Sequence, residues 1–274
     1  MNAPAIRVSR EWLSLREPVD AAARAPELAV RLGRRIPVDG RCVIHDLGCG
    51  TGAMGRWLAP LLPGPQHWIL HDRDADLLEV AAADLPGSAA DGATVTVEAT
   101  QSDIVRLDPG DLADASLITA SALLDLLTAE ELSTLLTVCA GAGCPILLTL
   151  SVVGRVALMP SDPLDDPVAT AFNAHQRRPT ERGRLLGPDA VAVAVELFSR
   201  LRAEVLVLPS PWQLGAAEAA LAAEWITGWV GAASEQQPDL ASEADVYAHR
   251  RLAQARAGQL DVTVHHADLL ALSS

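Results

Sequence analysis

The chain has 274 residues, about half of them hydrophobic and 20% charged, and a formal net charge of −14. At roughly 100–200 residues per domain this allows one large domain or two small ones. Its longest apolar runs, such as residues 145–150, fall far short of the ~20 residues a membrane span needs, and its acidity offers no basic face to nucleic acid.

In chain order, residues 9–35 predict two helices, with Ser9 and Asp20 as their caps and Trp12, Leu13 and Leu15 on the apolar side of the first. From Arg41 short apolar runs alternate with helical stretches. Residues 42–47 predict a strand, followed by closely spaced glycines and a helix over 53–61. Residues 67–72 predict a second strand, with a helix over 74–83. Residues 94–99 alternate with period two and predict a third strand. A fourth strand at 116–120 precedes a helix at 128–140, and a fifth strand covers 145–152. Strand and helix alternating at this pace predict a mostly parallel sheet covered on both faces. The segment 154–187 is rich in Pro, Asp and Arg and predicts an insertion with one short helix near 167–176. Regularity resumes with a helix at 188–202, a sixth strand at 204–208, helices at 214–233 and 239–257, and a last strand at 261–265. The expected organisation is an N-terminal helical extension (1–40) and one α/β domain (41–274), with 154–187 as a substrate lid.

All 21 basic residues are arginine, which removes a Schiff-base lysine, a P-loop lysine and any lysine base. Four cysteines at irregular spacings make no disulfide framework, and no short Cys or His pairing marks a zinc site, so no metal is expected. The first ten residues lack the apolar core of a signal peptide, and a cytoplasmic protein is expected. The acidic balance favours a neutral or cationic small molecule over a polyanion.

The most informative stretch is Asp46-Leu47-Gly48-Cys49-Gly50-Thr51-Gly52, where a buried strand ends in a carboxylate and three alternating glycines lead into a helix. Glycines there permit positive φ and close approach of a ligand to backbone, and the helix start supplies free N–H groups. Two ligand classes compete. Gly50-x-Gly52-x-x-Gly55, with Asp72 standing 22 residues beyond Gly50, satisfies the dinucleotide fingerprint. Asp46 argues the other way, because a carboxylate beside the loop repels a pyrophosphate and attracts the ammonium and sulfonium of S-adenosylmethionine.

On these residues the chain resembles the class I S-adenosylmethionine-dependent methyltransferases. The similarity continues through His71-Asp72-Arg73-Asp74, Gln101-Ser102-Asp103-Ile104 and Ser116–Leu127, and covers roughly 41–152. It implies a seven-stranded, mostly parallel Rossmann-like sheet in the order 3-2-1-4-5-7-6, its last strand antiparallel, with helices on both faces. It also implies S-adenosylmethionine contacts from Asp46, Gly48, Cys49, Gly50, Gly52, Asp72, Arg73, Asp103, Ile104 and Ala120. In that arrangement Asp72 holds the ribose hydroxyls and Asp103 the adenine amino group.

For chemistry, Asp125 is the first candidate for a general base, with a solvated helix-start acid as the alternative. His175, in the expected lid, is the second, with a structural role as its alternative. Trp12 and Arg16, four apart on the first helix, and Trp212, after the sixth strand, are candidate substrate contacts or ordinary packing. His45 reads as a buried structural histidine, and His265 and His266, facing opposite ways in a strand, as core and surface positions. The expected function is methyl transfer to a small-molecule acceptor, an oxygen by a narrow margin, by a monomer or homodimer. The alternatives are an aminopropyltransferase or NAD-dependent oxidoreductase on the same fold, or a binding module without turnover.

Overall fold

The computed structural model describes residues 8–36 and 40–273. The expected N-terminal extension therefore falls partly outside the described residues, at 1–7 and 37–39. Two helices come first, α1 (Arg10–Ala23) and α2 (Pro26–Gly33). Ser9 caps α1 by accepting from the Trp12 N–H, and Pro26 opens α2, where its missing N–H costs nothing. Asp20 is not a cap. α1 runs through it, and its side chain is buried.

The α/β body then alternates as expected: β1 (Cys42–Leu47), α3 (Ala53–Leu58), β2 (Gln66–Asp72), α4 (Ala75–Ala83), β3 (Val95–Gln101), β4 (Leu117–Ser121), α5 (Ala129–Gly141) and β5 (Ile146–Met159). Asp74 caps α4, and Thr128 with Glu131 closes a reciprocal capping box on α5. After β5 come α6 (Asp165–Gln176), the short hairpin β6 (Pro179–Thr180) and β7 (Gly183–Arg184), α7 (Ala190–Arg200), β8 (Glu204–Pro209), β9 (Trp212–Leu214), α8 (Ala219–Gln236), α9 (Ala241–Arg256) and β10 (Asp261–Leu272).

The sheet order is β3-β2-β1-β4-β5-β10-β8, parallel from β3 to β5, with β10 inserted antiparallel between β5 and β8. This is the expected order, with one more strand than expected. β9 pairs with the start of β10, making eight strands, so Trp212 sits in a strand rather than a loop. Two strands also outrun their predicted limits. β5 continues to Met159 instead of ending at Val152, and β10 reaches Leu272 instead of stopping at His265. The two lie side by side along that length, each satisfying the other's backbone, so the first part of the expected insertion is strand.

Helices α2 to α4 bury Leu28, Leu32, Met54, Leu58 and Leu78 against one face of the sheet. Helices α5 and α7 bury Leu132, Leu136, Ala194 and Phe198 against the other. A third core, around Val168, Ile226, Trp229 and Tyr247, packs α6, α8 and α9 under the extended β5–β10 ribbon. No helix among the described residues is long and apolar enough to cross a membrane.

Candidate active site

The carboxyl ends of the parallel strands open into a cavity of about 830 Å³, and α1 forms part of its wall. Two contacts hold α1 there. Glu17 makes a two-point ion pair with Arg56 of α3, at 2.6 and 2.7 Å, and Asp20 accepts from the Trp212 indole at 2.9 Å. One end of the cavity is the glycine loop. Gly48, Gly50 and Gly52 have φ of +66°, +55° and +85°, a region that side chains avoid, so the loop can turn tightly and expose backbone. A Cβ on Gly48 or Gly50 would lie 3.2 Å from Leu123 or 3.3 Å from Leu13.

Asp46, next to last in β1, lies beside this loop and is buried. The β1–β4 register sets Thr119 directly across from it, and the Thr119 hydroxyl donates to Asp46 Oδ1 at 2.7 Å. Oδ2 is buried without a hydrogen-bond partner. Burial, the largest influence, pushes the Asp46 carboxyl up to about 6, while Thr119 and then Arg24 oppose the rise. Arg24, at the end of α1, is also buried; its guanidinium donates to Ser121 and Thr149, and Nη1 has no partner. Asp268 of β10 keeps this junction in place by accepting from the Ala25 and Leu150 N–H groups, each at 2.8 Å. The cavity wall thus carries an unsatisfied anion oxygen and an unsatisfied cation nitrogen.

From there the cavity follows the strand ends outward. Asp72 accepts from the Gly50 N–H at 2.8 Å and from the Asp74 N–H at 3.0 Å. Ser102, Asp103 and Ile104, past the end of β3, complete this limb with Arg73. Asp103 caps a short helical turn and pairs with Arg106 at 3.6 Å. Cys49 also lines the cavity, where burial raises its thiol far above the range in which it would ionise. Of the other predicted cofactor contacts, Gly52 and Ala120 do not line the cavity. Gly52 caps α3, and Ala120 is buried within β4, leaving Ser121 and Ala122 at the edge.

The opposite limb is aromatic. Trp12 and Trp212 meet at 6.3 Å, Arg16 stacks over Trp212 at 4.9 Å, and His266 packs on Trp212 at 5.3 Å. Arg16 is held by Asp20 at 2.8 and 3.1 Å. All three predicted substrate contacts, Trp12, Arg16 and Trp212, line this limb, as does Asp125. Burial pushes the Asp125 carboxyl up to about 6, with Arg16 among the opposing influences. His175 is not part of the cavity wall. It lies on α6 and pairs with Glu235 of α8 at 3.3 Å.

Arg24, Thr119 and Gln176 escaped the sequence reading, and His266 reads there only as a core or surface position. Gln176 Oε1 and His266 Nδ1 are buried without partners, and both residues line the cavity. Burial, and then Arg16, push the His266 imidazole down to about 3, so it is neutral. No local pattern marks any of the four; each reaches the site through strand register or helix docking. Among the described residues no group of His, Cys, Asp or Glu is arranged to hold a metal ion.

No family model matches the chain, and no curated protein matches its sequence. Solved structures do match in shape. A cyclopropane synthase from Mycobacterium tuberculosis is 12% identical, with 96% of this chain and 94% of that one covered and a TM-score of 0.50. A SAM-dependent methyltransferase from Geobacter sulfurreducens, in complex with S-adenosyl-L-homocysteine, is 15% identical, with 98% and 100% covered and a TM-score of 0.48. With the antiparallel strand inserted next to the sheet edge, the first of these decides the architecture. The chain has the class I methyltransferase fold. In that fold the glycine loop, Asp72 and the β3 end form one continuous limb of the cavity, and Asp125 and the tryptophans form the other.

Proposed function

We propose that this protein binds S-adenosylmethionine and transfers its methyl group to a small-molecule acceptor through an oxygen atom. The observation that carries the reading is a pair of buried atoms on oppositely charged groups, Asp46 Oδ2 and Arg24 Nη1, that have no hydrogen-bond partner. A buried atom of a charged group left without a hydrogen bond costs at least about 1–3 kcal/mol, so a site that keeps two of opposite sign is matched to a ligand with both. The α-amino acid end of S-adenosylmethionine has an ammonium for Asp46 and a carboxylate for Arg24. The same Asp46 would repel the pyrophosphate of a dinucleotide. Asp72 suits vicinal hydroxyls, since its carboxylate has acceptor capacity beyond its two backbone donors.

When bound, S-adenosylmethionine supplies a methyl group activated by its sulfonium. The chain's own residues contribute alignment and a dry surrounding. Trp12, Trp212 and Arg16 give an aromatic, partly cationic wall for an acceptor. Asp125, ionised above about pH 6, takes the hydroxyl proton as the acceptor oxygen forms its new bond to carbon. Neutral His266 and Gln176 offer unspent hydrogen-bonding groups to the acceptor's other polar atoms. The aromatic limb and the net charge of −14 support a small molecule rather than a nucleic acid.

Titration calorimetry with S-adenosylmethionine, S-adenosylhomocysteine and NAD tests the reading. Uptake of the first two and no heat with NAD is expected. Retention of NAD with no uptake of either adenosyl compound would overturn it.

A further inference from the structure

A line of hydrogen bonds crosses the sheet beneath the β3 end of the cavity. The His45 ring on β1 and the His71 ring on β2 meet through Nδ1 and Nε2 at 3.0 Å, with their planes 17° apart. His71 Nδ1 meets the Ser102 hydroxyl at 3.0 Å, and His45 Nε2 meets Asp114 Oδ1 at 3.1 Å. Register produces the line. His45 pairs with Ile69 and His71 with Thr100, so each step reaches the residue two further along the next strand, on the same face. Both rings are buried, Asp114 is exposed, and Ser102 lines the cavity.

The direction of these bonds is set at the exposed end. A carboxylate only accepts, so His45 must carry its proton on Nε2. With His45 in its neutral form, its Nδ1 accepts from His71 Nε2–H, and His71 Nδ1 accepts from Ser102. The serine proton is therefore committed to His71, and only oxygen lone pairs remain toward the cavity. Burial, and then His45, push the His71 imidazole down to about 4, against Asp111, so this ring carries a single proton at neutral pH. Asp103 beside it is half-exposed and shared with Arg106, whereas Ser102 is held in place by its own N–H to the Asp72 carbonyl at 2.9 Å.

We infer that Asp114, His45 and His71 fix Ser102 as a hydrogen-bond acceptor against the 6-position of the bound purine, selecting an amino group over an oxo group. The inference rests on the reading that the adenosyl end of the cofactor lies along the β3 limb. His45 and His71 are positioning residues, since they act through Ser102.

Calorimetry on the full chain, with S-adenosylhomocysteine and its 6-oxo counterpart S-inosylhomocysteine, tests it. The unaltered protein is expected to prefer the adenosyl compound at least tenfold. His71→Phe frees the Ser102 proton to turn to the cavity and should cut that preference at least fivefold, mainly by tighter inosyl binding. Asp114→Asn, at an exposed position that does not threaten folding, can donate as well as accept and should lower the preference in the same direction. A structural role for the histidines would not move this ratio. Equal binding of both compounds by the unaltered protein overturns the inference and leaves the cofactor reading standing. So does an unchanged preference in Asp114→Asn, whether or not His71→Phe folds. Binding of neither compound overturns the cofactor reading and this inference with it.

Discussion

The Trp212 indole donates to Asp20 at 2.9 Å, joining residues 192 positions apart. The same carboxylate holds Arg16, so one buried side chain fastens the N-terminal helix to the strand that walls the aromatic limb of the cavity. Asp20→Ala leaves the indole N–H and the guanidinium without their acceptor. Urea unfolding should show a loss of about 2–4 kcal/mol as a lower midpoint with an unchanged slope.

Asp46 must be ionised to hold an ammonium, and burial pushes its carboxyl up to about 6. Cofactor affinity should therefore be full above about pH 7 and decline as the pH falls through about 6, by up to about tenfold per unit. Asp46→Asn should flatten that dependence and weaken binding by about 1.5–3 kcal/mol at neutral pH, as read by calorimetry across a pH series.

In the proposed reading the partnerless Nη1 of Arg24 serves the cofactor's carboxylate and no other part of the cofactor. Arg24→Met should weaken S-adenosylhomocysteine by about 1.5–3 kcal/mol. Binding of 5′-methylthioadenosine, which lacks the amino acid, should change less than twofold. An equal loss for both compounds would place Arg24 outside the site.

Gly52 begins α3 at φ +85°, and a Cβ there would lie 3.1 Å from the Ala81 backbone. Gly52→Ala meets both the left-handed penalty and a contact that cannot swing away, a cost of about 2–4 kcal/mol. Its melting temperature should fall accordingly.

Asp125 lines the cavity and His175 does not. With hydroxyl acceptors, and release of S-adenosylhomocysteine as the readout, Asp125→Asn should lower kcat about a hundredfold or more with cofactor affinity unchanged. His175→Ala should keep the full rate.

Much of the fold was legible locally. The first five strands and the helices between them declare themselves because each alternates apolar texture with a cap or glycine break, and Thr128 with Glu131 is such a signal. The outer part of β5 was hidden. Gly154 and Arg155 interrupt its apolar run, and its strand character depends on β10, about a hundred residues away. Asp20 misled for a related reason: an acid near a helix boundary reads as a cap unless one knows that Trp212 and Arg16 wait for it.

Taken alone, the order of residues determined the glycine loop, Asp46 at its mouth, Asp72 and the alternating α/β plan. All of these are consequences of short-range backbone geometry and periodicity, which neighbouring residues carry among themselves. Tertiary structure alone decided that Thr119 faces Asp46, that Arg24 joins it, that His266 replaces His175 at the cavity and that His45, His71 and Ser102 form one line. Strand register and helix docking bring those groups together, and both are set by burial of whole faces over long sequence distances, which no local pattern encodes.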